Sequence, residues 1–229
     1  MPSTVAAPHR IRRPAPPSQR PLPLRLLQFA VGVAFCAVAV WLTLQVALGL
    51  SPWDVLHAGL ADATGMSFGT ALILVGLAVL GVSAALGVRP GIGTLVNQVV
   101  VGITLDRLLA SRWLDALPHA PVPARLAVLV GAVALLGLGC AMYIGSGFGA
   151  GPRDSLMLAC YQRGVPIGPA RCVIELSVLV VGWLLAGPVG VGTVVIALGL
   201  GPAVSAGFRL IGQEPPARAQ RRTAGSEAR

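Results

Sequence analysis

Six long, mainly apolar runs most constrain what this chain can fold into. They cover residues 26–49, 68–88, 91–110, 124–145, 168–187 and 190–211. Each can cross about 30 Å of hydrocarbon at about 1.5 Å of helix rise per residue. In lipid, a spanning segment must satisfy its backbone hydrogen bonds internally, so these runs predict α-helices. We expect an all-α, polytopic membrane protein with one transmembrane domain at 26–212 and no soluble domain.

The distribution of charge agrees with this class. Of the 229 residues, 55% are hydrophobic and 11% are charged, whereas a soluble domain carries about 25% charged residues. The net charge is +9, and every basic residue is an arginine. Many of these arginines lie in two proline-containing stretches without periodicity, residues 1–25 and 213–229, which we expect to be disordered tails. Basic flanks beside apolar runs indicate membrane topology, so no nucleic-acid partner is expected.

Two further segments look helical but short. Residues 51–64 open with Ser-Pro-Trp-Asp and residues 151–164 with Gly-Pro-Arg-Asp, and a capping residue followed by proline is typical of a helix start. About fourteen residues give roughly 21 Å of helix, which is short for a span. We therefore predict six spans plus two half-helices, re-entrant or interfacial. The alternative is eight spans.

The two halves of the chain resemble each other. Gly-Ile-Gly-Thr at 91–94 aligns with Gly-Val-Gly-Thr at 190–193, and the Pro-x-Asp motif at 52–54 recurs at 152–154. Three spans per half would turn the second half over relative to the first. The sequence therefore predicts an inverted 3+3 repeat, with halves at about 26–110 and 124–211, an architecture common in transporters.

Arginine positions predict the orientation. With the N-terminus in the cytoplasm, Arg89, Arg153 and both basic tails fall inside, as the positive-inside rule requires. We expect a multi-pass protein of the bacterial cell membrane with both termini cytoplasmic. The exception is the connection at 106–125, which would lie outside with Arg107, Arg112 and Arg125.

Several stretches together resemble the YczE/YitT group of bacterial integral membrane proteins, the YczE branch in particular. The resemblance covers roughly residues 25–212. It implies a membrane-integral protein, and it implies no substrate or reaction. YitT-type relatives typically add a C-terminal soluble domain, which is not expected here. The stretches that carry the resemblance are Ser51-Pro-Trp-Asp-Val-Leu-His57, Gly65-Met-Ser-Phe-Gly-Thr70, Gly87-Val-Arg-Pro-Gly-Ile-Gly-Thr94, Gly149-Ala-Gly-Pro-Arg-Asp154 and Gly187-Pro-Val-Gly-Val-Gly-Thr193.

Asp54 and Asp154 occupy equivalent positions near the starts of the two short helices. Free N–H groups and the helix dipole stabilise a carboxylate there, so simple capping is one interpretation. The other is that both carboxylates flank a central ion or proton site, since ionisable groups inside a membrane are costly. Trp53 and Arg153, also equivalent, would suit opposite membrane faces.

The remaining candidates for substrate or ion binding are backbone turns and polar side chains. The repeated glycine–threonine pairs could start helices in close packing, or could be unwound backbone that coordinates a ligand. Arginines near the half-helices could set topology or clamp an anion. Amides in the third span could face a polar cavity or join helices. These candidates are Gly93, Thr94, Gly192, Thr193, Arg89, Arg153 and Asn97, with Gln98 and Asp106 beside Asn97. Arg171 and Glu175, four residues apart, should pair on one helix face.

Enzymatic and metal chemistry are not expected. The four cysteines form no C-x-x-C pair, so neither a metal site nor a disulfide framework is predicted. The Gly-Ser-Gly at 145–147 has no histidine or lysine in a later span to activate the serine. No cofactor is expected either.

Two functional hypotheses remain. The first is a small secondary transporter that moves a small molecule or ion by alternating access about the repeat. The second is an accessory membrane protein that binds or stabilises a partner, or forms a homodimer. Its basis is the high glycine content of the spans, which permits close helix contact.

Overall fold

The fold is entirely helical in the part of the chain that the structure, a computed structural model, describes: residues 20–88, 91–149, 151–163, 165 and 167–213. This confirms the predicted all-α fold. The predicted tails lie mostly outside these ranges, although residues 22–25 already form the first turn of a helix. The α-helices are α1 (Leu22–Gln45), α2 (Pro52–Thr64), α3 (Phe68–Ala85), α4 (Ile92–Ser111), α5 (Val122–Gly145), α6 (Pro152–Gln162), α7 (Ile167–Leu184) and α8 (Val191–Leu210).

Helix length separates two classes of element. Among the described residues, five helices are long and apolar enough to cross a membrane, namely α1, α3, α4, α5 and α8. Helix α7, of 18 residues, coincides with the fifth predicted span. Helices α2 and α6 have 13 and 11 residues, about 20 and 16 Å, too short to cross the hydrocarbon. The chain is a multi-pass membrane protein with two short helices among long ones.

The short helix α2 begins where the sequence predicts, for the expected reason. The Ser51 hydroxyl accepts a hydrogen bond from the Asp54 amide at 3.3 Å, and Pro52 takes the first helical position. Helix α1 ends earlier than predicted, because Ala47 and Gly49 adopt positive φ angles of 48° and 104°. These two residues reverse the chain between α1 and α2.

Each short helix packs against a long helix from the other half of the chain. Helix α2 lies against α7, where Gly59 and Gly182 let the backbones approach. Helix α6 lies against α3. The long helices α1 and α5 are joined in the same manner through Gly32 and Gly139. Small residues at helix contacts permit this close approach in membranes.

Helix positions recur along the chain. Helices α5 and α6 begin 100 residues after α1 and α2, and helices α7 and α8 begin 99 residues after α3 and α4. Apart from the short helices, the paired helices have equal lengths of 24, 18 and 20 residues. Residues 22–111 and 122–210 therefore have the same order of elements.

Two arginines donate hydrogen bonds to carbonyl groups at the C-terminal ends of α1 and α5. Arg25 Nε donates to the Ser146 carbonyl at 2.9 Å, at the end of α5. Arg125 donates to the Val46 and Ala47 carbonyls, each at 2.7 Å, at the end of α1. A cation is favoured beside these otherwise free carbonyls. Arg125, an exception to the expected charge distribution, thus has a structural role.

Candidate functional site

The starts of α4 and α8 each bind the loop that follows a long helix of the other part. The Gly93 amide donates to the Phe148 carbonyl at 3.1 Å, and the Gly192 amide donates to the Leu48 carbonyl at 2.7 Å. The first amides of a helix have no partner within the helix. These two bonds satisfy one such amide in each helix and fix the loops that lead into α2 and α6.

Glycine is required in both loops. Gly49 and Gly149 have φ angles of 104° and 144°, a region that other residues rarely adopt. A Cβ on Gly49 would overlap the Gly190 backbone, and one on Gly149 would overlap the Thr94 hydroxyl. The loops therefore lie directly on the starts of α8 and α4.

The four glycine and threonine candidates lie at these junctions and do not line the cavity described below. The Thr193 hydroxyl accepts from the Gly190 amide at 3.2 Å, as a capping residue does. Of the two interpretations offered from the sequence, the start of a closely packed helix fits the contacts of Gly93, Thr94, Gly192 and Thr193. Arg89 lies outside the described residues.

A cavity of about 500 Å³ lies between the helices. Every one of the eight α-helices contributes side chains to its wall. The short helices α2 and α6 supply five polar residues, four of them in their first turns, and the long helices supply the aliphatic side chains and the other polar residues. Its polar lining includes Trp53, Asp54, His57, Asn97, Gln98, Tyr143, Arg153, Asp154, Arg171, Glu175 and Ser205.

Asp54 is buried in the α2 side of the cavity, with 3% of its surface exposed. Ser51 Oγ donates to its Oδ2 at 2.5 Å, while His57 Nδ1 and Arg153 Nη2 lie 3.3 and 4.0 Å from its Oδ1. Burial raises the pKa of this carboxyl, but His57, Arg153 and Ser51 outweigh burial and lower it overall. Asp54 is therefore a partnered carboxylate in a short, non-spanning helix, and Ser51 rather than Asp54 is the cap.

Arg153 links the two short helices. Its guanidinium carbon lies over the Trp53 ring, 5.2 Å from the centroid, and its Nη2 approaches Asp54. Trp53 is itself buried, at 4% exposure. The interpretation that Trp53 and Arg153 lie at opposite membrane faces is wrong, because the first turns of α2 and α6 meet inside the bundle.

Asp154, in the first turn of α6, is exposed to the cavity. It accepts a hydrogen bond from the Gly151 amide, so it does cap its helix. The surrounding protein raises the pKa of its carboxyl, and the charges of Arg171 and Arg153 oppose this rise. In the part of the chain described, no side chain pairs with Asp154. The structure thus brings Asp54 and Asp154 to one cavity in different environments.

The polar residues of α4 divide by role. Gln98 Nε2 donates to the Leu72 carbonyl at 2.6 Å and so joins α4 to α3. Asp106 caps the start of α3, since it accepts from Ser67 Oγ at 2.6 Å and from the Gly69 amide at 2.7 Å. Asn97 lines the cavity, and its buried Oδ1 has no hydrogen-bond partner within the described ranges.

Sequence reasoning missed several cavity residues. His57 lies one helical turn after Asp54, a spacing that could have indicated the contact. The predicted pair of Arg171 and Glu175 is confirmed at 2.9 Å. Its presence on the cavity wall was missed, although a charged pair within a span was a signal. Tyr143 gave no sequence signal.

Comparisons with known proteins agree on the type of protein. Residues 23–208 match the family model described as "Family of unknown function (DUF6198)". The chain is 34% identical over 180 residues to "Uncharacterized membrane protein YczE" of Bacillus subtilis, covering 77% of this chain and 82% of that protein. It is 37% identical over 169 residues to an "Uncharacterized protein" of Haemophilus influenzae, covering 73% and 76%. No solved structure gives a significant match.

Proposed function

This chain belongs to the YczE-type family of membrane proteins whose model covers residues 23–208, and from its geometry we propose that it is a small secondary transporter. The observation that carries the proposal is the central cavity, on which the first turns of α2 and α6 converge. We propose transport, rather than an enzymatic reaction, as the use of this cavity.

The polar content of the cavity favours a ligand site over a packing defect. Three carboxylates and two arginines line it, within a bundle of apolar helices. Ionisable groups in such a place are costly and cluster along substrate and ion pathways. The unpartnered Oδ1 of Asn97 is an acceptor that a ligand could satisfy.

Paired contacts favour the inverted repeat that alternating access would use. The bond from Gly93 to Phe148 has a counterpart at an offset of about 100 residues, from Gly192 to Leu48. The bond from Arg25 to the end of α5 has its counterpart from Arg125 to the end of α1. Two equivalent arrangements at opposite ends are what a transporter built from inverted halves needs. In this proposal both termini are cytoplasmic and the membrane is the bacterial cell membrane.

The accessory role remains the alternative. It was based on the small residues of the spans, and many of these already serve contacts within the chain. Gly137 lies against Ala203, and Gly59 lies against Gly182. Less of the small-residue surface is therefore left for a partner helix or a second copy, which favours transport.

Cysteine accessibility tests whether the cavity opens to water. After replacement of the four native cysteines, single cysteines are placed at His57, Arg153 and Met157, which line the cavity. The control is Val55, which is fully buried at 0% exposure. We expect a membrane-impermeant maleimide to label the cavity positions from at least one side and to leave the control unlabelled. If no cavity position reacts from either side, the proposed pathway is wrong.

Flux measurements separate the two hypotheses. The full chain is reconstituted in proteoliposomes, and the uptake of a broad set of small solutes is measured under a proton or sodium gradient. The same uptake is measured for the double variant Asp54→Asn/Asp154→Asn. Gradient-driven uptake that the double variant loses supports a transporter. An in vivo phenotype that requires a partner and survives in the double variant, without uptake by either protein, indicates the accessory role.

A further inference from the structure

The charges on the cavity wall are unequally partnered. Arg171 and Glu175 form a close pair at 2.9 Å. Asp54 is held by its own helix through Ser51 and His57. Two side chains, those of Arg153 and Asp154, have hydrogen-bonding atoms that remain available to a ligand.

Arg153 has N–H groups that are available as hydrogen-bond donors. Its side chain is 36% exposed, and its contact with Asp54 is 4.0 Å long, beyond hydrogen-bond distance. The guanidinium carbon lies over the Trp53 ring, a contact that occupies none of the N–H donors of the side chain. An anionic oxygen would be bound there by one or two charge-assisted hydrogen bonds.

Asp154 has carboxylate lone pairs that are available as hydrogen-bond acceptors. It faces the cavity from the same helical turn and accepts only from the Gly151 amide among the hydrogen bonds of the described residues. An ammonium group beside it would favour its ionised form. Asn97, whose Oδ1 has no partner among the described residues, lines the same cavity. Asn97 is 8% exposed, so water does not readily satisfy this atom.

The two groups are neighbours in sequence and have opposite charges. A ligand with a single charge would shield one of them from water without pairing it, and an unpaired charge is expensive in an enclosed site. A ligand with both charges pairs both. Part of the remaining wall is aliphatic and suits an apolar side group. It includes Val40, Leu72, Val101, Leu136, Ile144 and Leu200.

We propose that the cavity binds a small zwitterion that carries an ammonium group, a carboxylate and an apolar side chain. The carboxylate binds Arg153, the ammonium group binds Asp154 and Asn97, and the apolar part lies on the aliphatic wall. This ligand assignment rests on the proposed function, because it takes the cavity as the substrate site.

Binding to the full chain in detergent tests the assignment without any transport step. The probes are leucine and phenylalanine, their amides, which carry only the positive charge, and 4-methylpentanoate and 3-phenylpropanoate, which carry only the negative charge. Thermal shift and calorimetry report affinity. We expect at least one of the two amino acids to bind about 10- to 100-fold more tightly than either of its single-charge analogues.

Charge-neutral variants identify the groups involved. In Asp154→Asn, the probe that carries only the negative charge should bind as tightly as the amino acid. In Arg153→Gln, the amide, which carries only the positive charge, should bind as tightly as the amino acid. The matched controls, Asp62→Asn and Arg112→Gln, change exposed residues away from the cavity and should preserve the preference for the zwitterion. If a cavity variant does not fold, the ranking of probes on the unchanged chain still decides.

The outcomes distinguish this inference from the proposed function. Equal binding of single-charge analogues, or no binding of either amino acid, overturns the zwitterion assignment even if the proteoliposomes transport another solute. Tight zwitterion binding with no uptake supports the assignment and refutes the transporter.

Discussion

Arg153 Nη2 lies 4.0 Å from Asp54 Oδ1, which makes this ion pair the point where the two short helices meet. The two residues are almost 100 positions apart in sequence, and each lies in the first turn of its helix. Any movement that opens the cavity between α2 and α6 must separate this pair or carry both helices together.

The Asp54–Arg153 pair should show energetic coupling. We expect Arg153→Gln to lower the free energy of unfolding less in an Asp54→Asn background than in the unchanged chain, by at least about 0.5 kcal/mol, because the variants share one contact. Thermal unfolding in detergent measures the cycle. Arg112→Gln, an exposed loop substitution, should be additive with Asp54→Asn. Additivity for Arg153→Gln would contradict the pair.

Alanine in either loop should be costly. Gly49→Ala and Gly149→Ala combine a positive φ with overlap against Gly190 and Thr94, so we expect a loss of about 1–3 kcal/mol of stability. The control is Gly131→Ala, where nothing lies within 4 Å of the added Cβ. Because alanine favours a helix, this control should not destabilise. Melting temperatures by fluorescence-detected chromatography compare the three.

Gly76 and Gln98 should be coupled through space. A Cβ on Gly76 would overlap the Gln98 side chain, whose amide must reach Leu72. Gly76→Ala should therefore destabilise the unchanged chain and should cost much less in a Gln98→Ala background. A coupling of about 0.5–3 kcal/mol is expected for residues in contact. Equal costs in both backgrounds would show that α3 and α4 approach differently.

Asp106 should matter for stability and not for ligand binding. Asp106→Ala removes the acceptor for Ser67 and the Gly69 amide, so we expect a loss of about 0.5–2 kcal/mol, as for other helix caps. Asp115→Ala, an exposed loop change, is the matched control and should be neutral. Probe affinities should be unchanged in both variants, and a selective loss of affinity in Asp106→Ala would place Asp106 in the site.

Reporter fusions test the number of crossings. With the N-terminus inside and six spans, a fusion after residue 89 should report the cytoplasm and a fusion after residue 118 the outside. With eight spans both results are reversed. We expect the six-span pattern because α2 and α6, at 13 and 11 residues, are too short to cross. Phosphatase and fluorescent-protein fusions give complementary readouts at each position.

The sequence predicted the helices well because their causes are local. Apolar run length located the spans, and the Ser-Pro and Gly-Pro starts located α2 and α6 within a few residues. The recurring Pro-x-Asp motif drew attention to Asp54 and Asp154, and the structure places both on the wall of one cavity.

What the sequence could not predict depends on contacts between distant residues. The partners of α2 and α6 follow from tertiary packing, which no local pattern encodes. Asn97 and Gln98 are adjacent amides that both line the cavity, yet Gln98 also joins two helices, while the Asn97 Oδ1 has no hydrogen-bond partner among the described residues. Adjacent residues point about 100° apart around a helix, so their difference arises from the rotation of α4 relative to α3, which composition does not reveal.

The crossed bonds from Gly93 to Phe148 and from Gly192 to Leu48 have a consequence for biosynthesis. When the first half leaves the ribosome, the start of α4 and the loop after α1 both still lack their partners. Residue 148 must be made before the first bond can close, and residue 192 before the second. The helices of the first half therefore lack these two hydrogen bonds during synthesis. The first half acquires its last contact only after the start of α8 has been made.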